Sequence, residues 1–320
     1  MNGIPFNKVL RACDEILVAI TMTMKNKTLP KLIELLLASA VVCLLIATAQ
    51  AATPKKLLVV TVTKGFRHSS IPTAERILAD IAKTSGAFTV DFARVEPSDP
   101  QFKGADDKPD KAKVDAAIVK VLADKMTPEA LKQYDGAIFA NTTDELPLPD
   151  KQAFIDWIKS GKAFVGMHSA SDTFHGFPPY IEMLGGEFET HHAQVKVDCR
   201  NHDPEHPATR HLGAMFTVFD EIYLQKNFHR DQVHVLLALD AHPNEKTPGF
   251  YPIAWCKEFG NGRVFYTSLG HREDMWDADT PEKFKRENSK EISEAYQKHI
   301  LGGIQWALGL EKGDAKPQTK

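Results

Sequence analysis

Between Lys56 and Met167 the chain alternates short, unbroken apolar runs with amphipathic stretches, and few folds accept that order. Lys56 to Thr63 (KLLVVTVT) is apolar and β-branched throughout, the pattern of a strand buried on both faces of a parallel sheet. A polar turn follows from Lys64 to Ser70. Pro72 then suits a first helical turn, Ile77, Leu78 and Ile81 give that helix one apolar stripe, and Gly86 ends it. Phe88 to Val95 reads as the next strand. After a charged excursion over 97–113 and a helix over 114–124 come a third strand (Tyr134 to Ala140), a helix (Pro149 to Lys159) and a fourth strand (Ala163 to Met167). Strands and helices alternating at these lengths predict a doubly wound, mostly parallel α/β sheet with helices on both faces.

The second half departs from strict alternation. Ala193 to Asp198, Phe216 to Leu224, His234 to Leu239, Ile253 to Phe259 and Arg263 to Ser268 are strand-like with short connections, and Gly260-Asn261-Gly262 has the composition of a hairpin turn. The sheet is therefore expected to gain antiparallel strands. A closing helix over 291–308 carries Ile300, Ile304 and Trp306 toward the core. With no internal repeat and no linker, residues 52–320 read as a single domain.

Residues 1–51 read as an address rather than as structure. Lys25, Lys27 and Lys31 precede a nearly apolar run from Leu32 to Ala47, and small residues follow at Ala47, Ala49, Ala51 and Ala52, the order of a secretory signal. Met22 and Met24 offer later starts that would leave residues 1–23 untranslated. The expectation is cleavage after Ala49 or Ala51, export to the periplasm or beyond, and no membrane span thereafter. The competing reading is a retained anchor, since the run approaches the roughly 18–20 residues that cross a bilayer. Five of the 39 Lys/Arg and three of the 42 Asp/Glu lie in this leader, leaving 34 against 39. That mildly acidic balance argues against nucleic acid, whose binding needs clustered positive charge. The two remaining cysteines, Cys199 and Cys256, sit in strand-like runs and read first as small buried residues, with one bridge as the alternative. The oligomeric state is left open, and a dimer is compatible with such a chain.

In an open parallel sheet, ligands bind beyond the carboxyl ends of the strands, so the informative residues are those met where each apolar run stops. These are Arg67 and His68 after the first strand, Asn141 and Thr142 after the third, His168, Ser169 and Asp172 after the fourth, and His271 and Arg272 after the last. His191-His192, His202, His206 and the acidic pair Asp220-Glu221 lie between. Thirteen histidines, several at strand ends, point to metal ligation or proton transfer. His68, His168 and His271 would converge on one mouth. A divalent metal such as zinc would draw on His168 with His191 or His192, only one of which can face a given ion because neighbouring strand residues point to opposite faces. Arg67 and Arg272 could fork onto substrate oxygens, and Arg67 could instead clamp a structural carboxylate. Asp172 and Glu221 are the carboxylates available to orient a histidine or act as base, and each could instead cap a helix. His202, His229, His234 and His242 read as histidines that hydrogen-bond loop backbones or lie in solvent.

Standard alternatives lack their motifs. Ser169 sits at an elbow without Gly-x-Ser-x-Gly, the local sequence being Gly166-Met167-His168-Ser169-Ala170-Ser171, and neither Gly-x-Gly-x-x-Gly nor a P-loop follows the first strand.

Several blocks together resemble the ThuA-like, trehalose-utilisation family: Val62 to Pro72 (VTKGFRHSSIP), Phe164 to Thr173 (FVGMHSASDT), Leu184 to Phe188 (LGGEF), Asp220 to Tyr223 (DEIY), Gly260 to His271 (GNGRVFYTSLGH) and Ile300 to Gly309 (ILGGIQWALG). The resemblance implies a flavodoxin-like sheet of the class I glutamine amidotransferase-like group. That group carries a cysteine at the elbow after the strand matching Ala163 to Met167; Met167-His168 stands here, so the amidotransferase reaction does not carry over. What the resemblance implies for function is handling of a sugar-derived small molecule, with hydrolysis, elimination or isomerisation of a keto-glycoside as the enzyme reading. His168 would then be base or ligand with Asp172 orienting it, while His68, Arg67, His271 and Arg272 surround the substrate. The alternative is a non-catalytic carbohydrate-binding or docking module, relying on aromatics such as Phe66, Phe174, Phe177, Tyr180 and Trp276.

Overall fold

Leu57 and Val59 enter one hydrophobic core while Leu58 and Val60 enter another, so the first strand is buried on both faces as its unbroken apolar run requires. The computed structural model describes residues 54–318, and the expected leader over 1–51 lies outside them. The residues from Pro54 onward form one compact unit. Among the described residues no helix is long and apolar enough to cross a membrane.

The strands are β1 (Lys55–Val60), β2 (Phe88–Ala93), β3 (Gly136–Ala140), β4 (Ala163–Met167), β5 (Glu187–His191), β6 (Val195–Asn201), β7 (Met215–Asp220), β8 (Tyr223–Lys226), β9 (His234–Ala241), β10 (Pro248–Phe259) and β11 (Gly262–Thr267). Nine of them form one sheet in the order β2-β1-β3-β4-β11-β10-β9-β6-β7, and β5 pairs with β8 separately. From β2 to β11 the pairing is parallel; from β11 onward it is antiparallel. The 2-1-3-4 start is that of flavodoxin-like sheets, with the switch point between β1 and β3. The hairpin expected at Gly260-Asn261-Gly262 joins β10 to β11.

Helices α1 (Ile71–Ser85), α2 (Lys111–Lys125), α3 (Pro128–Leu131), α4 (Lys151–Lys159), α5 (Pro178–Leu184), α6 (Glu273–Trp276) and α7 (Lys290–Ala307) cover the sheet. Ile77, Leu78 and Ile81 of α1 share one core with Tyr296, Ile300 and Ile304 of α7. Ile118 and Leu122 of α2, Phe154 and Ile158 of α4 and Tyr180 and Leu184 of α5 share the other. Each such buried aliphatic or aromatic side chain stabilises the fold by about 1.5–3 kcal/mol relative to exposure, which fixes the helices, and hence the loops between them, onto the strand ends.

One strand assignment needs correction. Phe216 to Leu224 is two strands in two sheets: β7 pairs with β6 as far as Asp220, whose side chain accepts the Gly270 N–H at 2.7 Å, and the chain turns over Glu221-Ile222 before β8 pairs with β5. The sequence reading also missed α5 and β5. Cys199 and Cys256 are both buried free thiols.

Candidate active site

β4 ends because His168 adopts a left-handed backbone (φ 47°), a sparsely populated conformation for a residue with a side chain, costing on the order of 1–3 kcal/mol. A turn over His168–Asp172 follows, and the elbow drives the His168 ring into the space between the ends of β1 and β11. There it is fully buried. Its Nδ1 lies 2.8 Å from the carbonyl oxygen of Ser268, which can only accept, so Nδ1 carries the proton and Nε2 presents a lone pair. That lone pair faces His68 Nε2 at 3.2 Å and Glu221 Oε2 at 3.7 Å. His271 Nδ1 reaches the same Oε2 at 3.1 Å, and His191 Nδ1 reaches Oε1 at 3.1 Å. The His271–Glu221 approach is close but off the hydrogen-bonding direction, leaving Nδ1 without a well-aimed partner.

The loop carrying His271 is held from behind. The Gly270 carbonyl accepts from Trp276 Nε1 (2.8 Å), Asn141 Nδ2 (3.1 Å) and Ser70 Oγ (3.2 Å). Gly270 has φ 119°, and a Cβ there would lie 2.7 Å from the Tyr296 hydroxyl, so only glycine fits. Burial raises Asp220 to about 6 against the opposing Gly270 N–H bond.

Protonation states diverge within the cluster. Burial, aided by His271, lowers His68 to about 4 despite Glu221, and burial holds His168 well below the ordinary imidazole value. For His271, burial acts to lower the pKa, but Glu221, Asp220 and Glu273 outweigh it and the net shift is upward. Near neutrality His68 and His168 are therefore uncharged, as metal ligation requires. His68, His168, Glu221 and His271 offer ligand atoms all within 4.8 Å of one another. Three imidazoles and one carboxylate fit a borderline divalent cation such as zinc. With a metal bound, the Ser268 carbonyl behind His168 would be the outer partner that fixes the ligating ring, and Ser169 Oγ, 3.4 Å from His68 Nδ1, would stand in the same relation to His68.

The cluster floors a cavity of about 210 Å³. Phe66, Phe188 and Tyr223 wall one part of it, and Asp172 and His191 face in from the rim. Phe66 is 67% exposed. A larger groove, about 530 Å³, opens beside Arg94 and Glu96. There Arg94 pairs with Glu75 at 3.1 Å and Glu96 with Arg67 at 3.0 Å, whereas the smaller cavity holds the histidine cluster.

Of the residues expected from sequence, the structure brings His68, His168, Asp172, His191, Glu221 and His271 to one mouth, with Ser169 in support. It does not bring the arginines. Arg67 bonds Glu96 and the Thr61 carbonyl; Arg272 bonds Asp274, Gln194 and the Lys285 carbonyl. Asn141 belongs to the network behind His271, and Thr142 pairs with Thr173 at 2.8 Å inside the protein. His192 turns away from His168 toward His242 and Glu245. His242 Nδ1 accepts the N–H groups of Asn244 and Glu245, which puts the neutral ring's proton on Nε2 and removes the lone pair a metal would need. His168 is oriented by Ser268, not by Asp172, whose partner is His175. Phe174, Tyr180 and Trp276 are core residues, not sugar platforms. Phe188, Tyr223, His175 and Glu187 went unrecognised; Glu187-Phe188 and Tyr223 stand within blocks that carried the family resemblance.

An open α/β sheet with a titratable cluster at its switch-point end defines the class. The chain belongs to the ThuA family, described as trehalose utilisation, whose model matches residues 56–307. Among solved structures it is similar to a ThuA-like protein from Parabacteroides merdae (17% identity, 82% of this chain and 92% of that one, TM-score 0.58). It is also similar to one from Bacteroides uniformis (21% identity, 83% and 96%, TM-score 0.56). At these identities the likeness shows the fold. No curated protein matches the chain significantly.

Proposed function

We propose that the protein is an exported enzyme that removes a proton beside the carbonyl of a keto-glycoside, using Asp172 as base and a divalent metal held by His68, His168, His271 and Glu221. The observation that carries this reading is the convergence of those four side chains within 4.8 Å at the strand ends. The family's association with trehalose utilisation supports a sugar substrate, and the basic, apolar, small-residue order before Ala52 supports export.

When bound, the metal would act as a Lewis acid on the sugar's carbonyl oxygen. The protein's own groups do the rest. Asp172 faces the cavity from the turn after β4 and is raised in pKa by burial against the His175 bond, a state suited to accepting a proton near neutral pH. His191 also lines the cavity, its Nδ1 lying 3.1 Å from the far oxygen of Glu221. A cavity of about 210 Å³ falls below the ~300–1,000 Å³ of drug-sized pockets, so it takes one sugar ring and leaves the second over exposed Phe66.

The deciding experiment pairs elemental analysis of the mature protein and its His168→Ala variant with deuterium exchange from solvent into trehalose oxidised to a ketone at C3 of one ring. One equivalent of divalent metal lost in the variant, with exchange only in the parent, is the expected result. Metal absent from both, with no exchange, would return the site to simple carbohydrate binding.

A further inference from the structure

A second titratable group adjoins the cluster and is not used by it. His175, three residues after Asp172, has a carboxylate on each ring nitrogen: Asp172 Oδ1 at 2.7 Å from Nε2 and Glu187 Oε1 at 2.6 Å from Nδ1. Two ionised carboxylates only accept, so a ring bonded to both must carry both protons and is an imidazolium. Glu187, on β5, is 4% exposed and is fixed independently by Asn227 Nδ2 at 2.6 Å and Lys226 Nζ at 3.3 Å. Asp172 is anchored through its own carbonyl, which accepts the Asp144 N–H at 2.7 Å. The far side of His175 borders an open cavity of about 500 Å³ shared with Glu182, Asn227 and His229, which gives water access to the ring.

We propose that His175 is a positioning residue: bridged between Glu187 and Asp172, it holds the Asp172 carboxylate in one orientation at the cavity wall and, as a cation, keeps it ionised to take the substrate proton. The inference rests on Asp172 being the base. A neutral hydrogen-bonding residue could supply the orientation but not the charge, and the geometry supplies both. Burial acts to lower the His175 pKa, but the bonds to Asp172 and Glu187 prevail and raise it. The other charged or titratable groups around the chain are Asp144 and His191 near Asp172, Glu145 beside Gly176 with its partner Lys151, Lys226 on Glu187, and Glu182 and His229 across the outer cavity. Asp144 opposes ionisation of Asp172, and His175 is its largest counterweight.

The test is a carbon-13 NMR titration of the Asp172 carboxyl and the His175 ring in the full mature protein with zinc added. Wild type is compared with His175→Gln and Glu187→Gln, alongside the pH profile of deuterium exchange into the C3-keto trehalose. In wild type, His175 should stay charged above pH 6.5. In His175→Gln the Asp172 midpoint, and with it the acid limb of the exchange profile, should move up by about 1–3 units, the span a close opposite charge exerts. Glu187→Gln should move the Asp172 midpoint in the same direction by lowering His175, and it serves if His175→Gln does not fold. An unmoved Asp172 midpoint with exchange intact overturns the role of His175 alone. A moved midpoint in a protein that exchanges no keto-sugar overturns the assignment of Asp172 as base, and the positioning role falls with it.

Discussion

The His168 ring donates its Nδ1–H to the carbonyl of Ser268 across 2.8 Å, tying the elbow after β4 to the loop after β11. These strands are parallel neighbours, with Met167 paired to Thr267 in register, so the bond joins two loops at one level of the sheet. It also settles the tautomer. The ring can turn only a bare Nε2 toward His68 and Glu221.

Glu221→Gln should cost the centre more than a distant change would. Altering an outer partner of a metal site typically weakens binding 10–100-fold, and Glu221 touches His168, His191 and His271 directly. Competition against a chromophoric zinc chelator should therefore show a loss of at least about 100-fold relative to wild type. Unchanged zinc affinity would mean that the carboxylate serves only as a charge partner for His191 and His271.

Gly270→Ala tests the support behind His271. Backbone at φ 119° is strained by about 1–3 kcal/mol for any residue with a Cβ, before the added contact with the Tyr296 hydroxyl is counted. An unfolding free energy, read from urea denaturation, lowered by that amount, together with reduced zinc occupancy, is expected. A variant as stable as wild type but unable to hold zinc would place the effect in the loop rather than in the fold.

Much of this was legible in the chain, and the rest was not for definable reasons. Unbroken apolar runs such as Lys56 to Val60 and Ala163 to Met167 have one good home, a strand covered on both sides, and their ends marked His68, His168 and His271 without any coordinate. Glu221 could be named but not ranked, because its importance lies in a break between two strands of different sheets that no local pattern announces. Arg67 and Arg272 sat beside key histidines in sequence, yet side chains that long reach past their neighbours to Glu96 and Asp274. His175 carried no strand-end signal at all. Its meaning depends on Glu187, twelve residues on, being folded back over it.

Phe66→Ala should separate recognition from stability. The ring is 67% exposed and makes an edge contact with His68 at 4.9 Å between centroids, so its loss should change unfolding free energy by less than about 0.5 kcal/mol. Losing a stacking face for the second sugar ring should raise KM for the C3-keto trehalose about 3–10-fold, since aromatic contacts contribute ~0.5–1.5 kcal/mol. Equal KM values for the two proteins would remove Phe66 from the binding surface.

Acid should weaken the fold through histidines far from the cavity. Burial lowers His299 to about 3 and His206 to about 4. His299 Nδ1 donates to the Ala208 carbonyl at 2.8 Å, while Nε2 is buried with no partner, so a second proton would have nowhere to go. His206 Nδ1 accepts the Ala208 N–H, which protonation would break. Both native pKa values lie below the unfolded 6.5, so the unfolded chain binds protons that the native state refuses. Stability from these rings is therefore complete above pH 6.5 and is lost as pH falls toward 4, at ~1.4 kcal/mol per pH unit for each ring. Urea unfolding of wild type and His299→Gln between pH 7 and pH 4.5 isolates one ring, because every other group titrates in both proteins. The variant's stability should fall less steeply by ~1.4 kcal/mol per unit. Parallel curves would show that His299 takes its proton as readily folded as unfolded, which requires water to reach Nε2 behind α7.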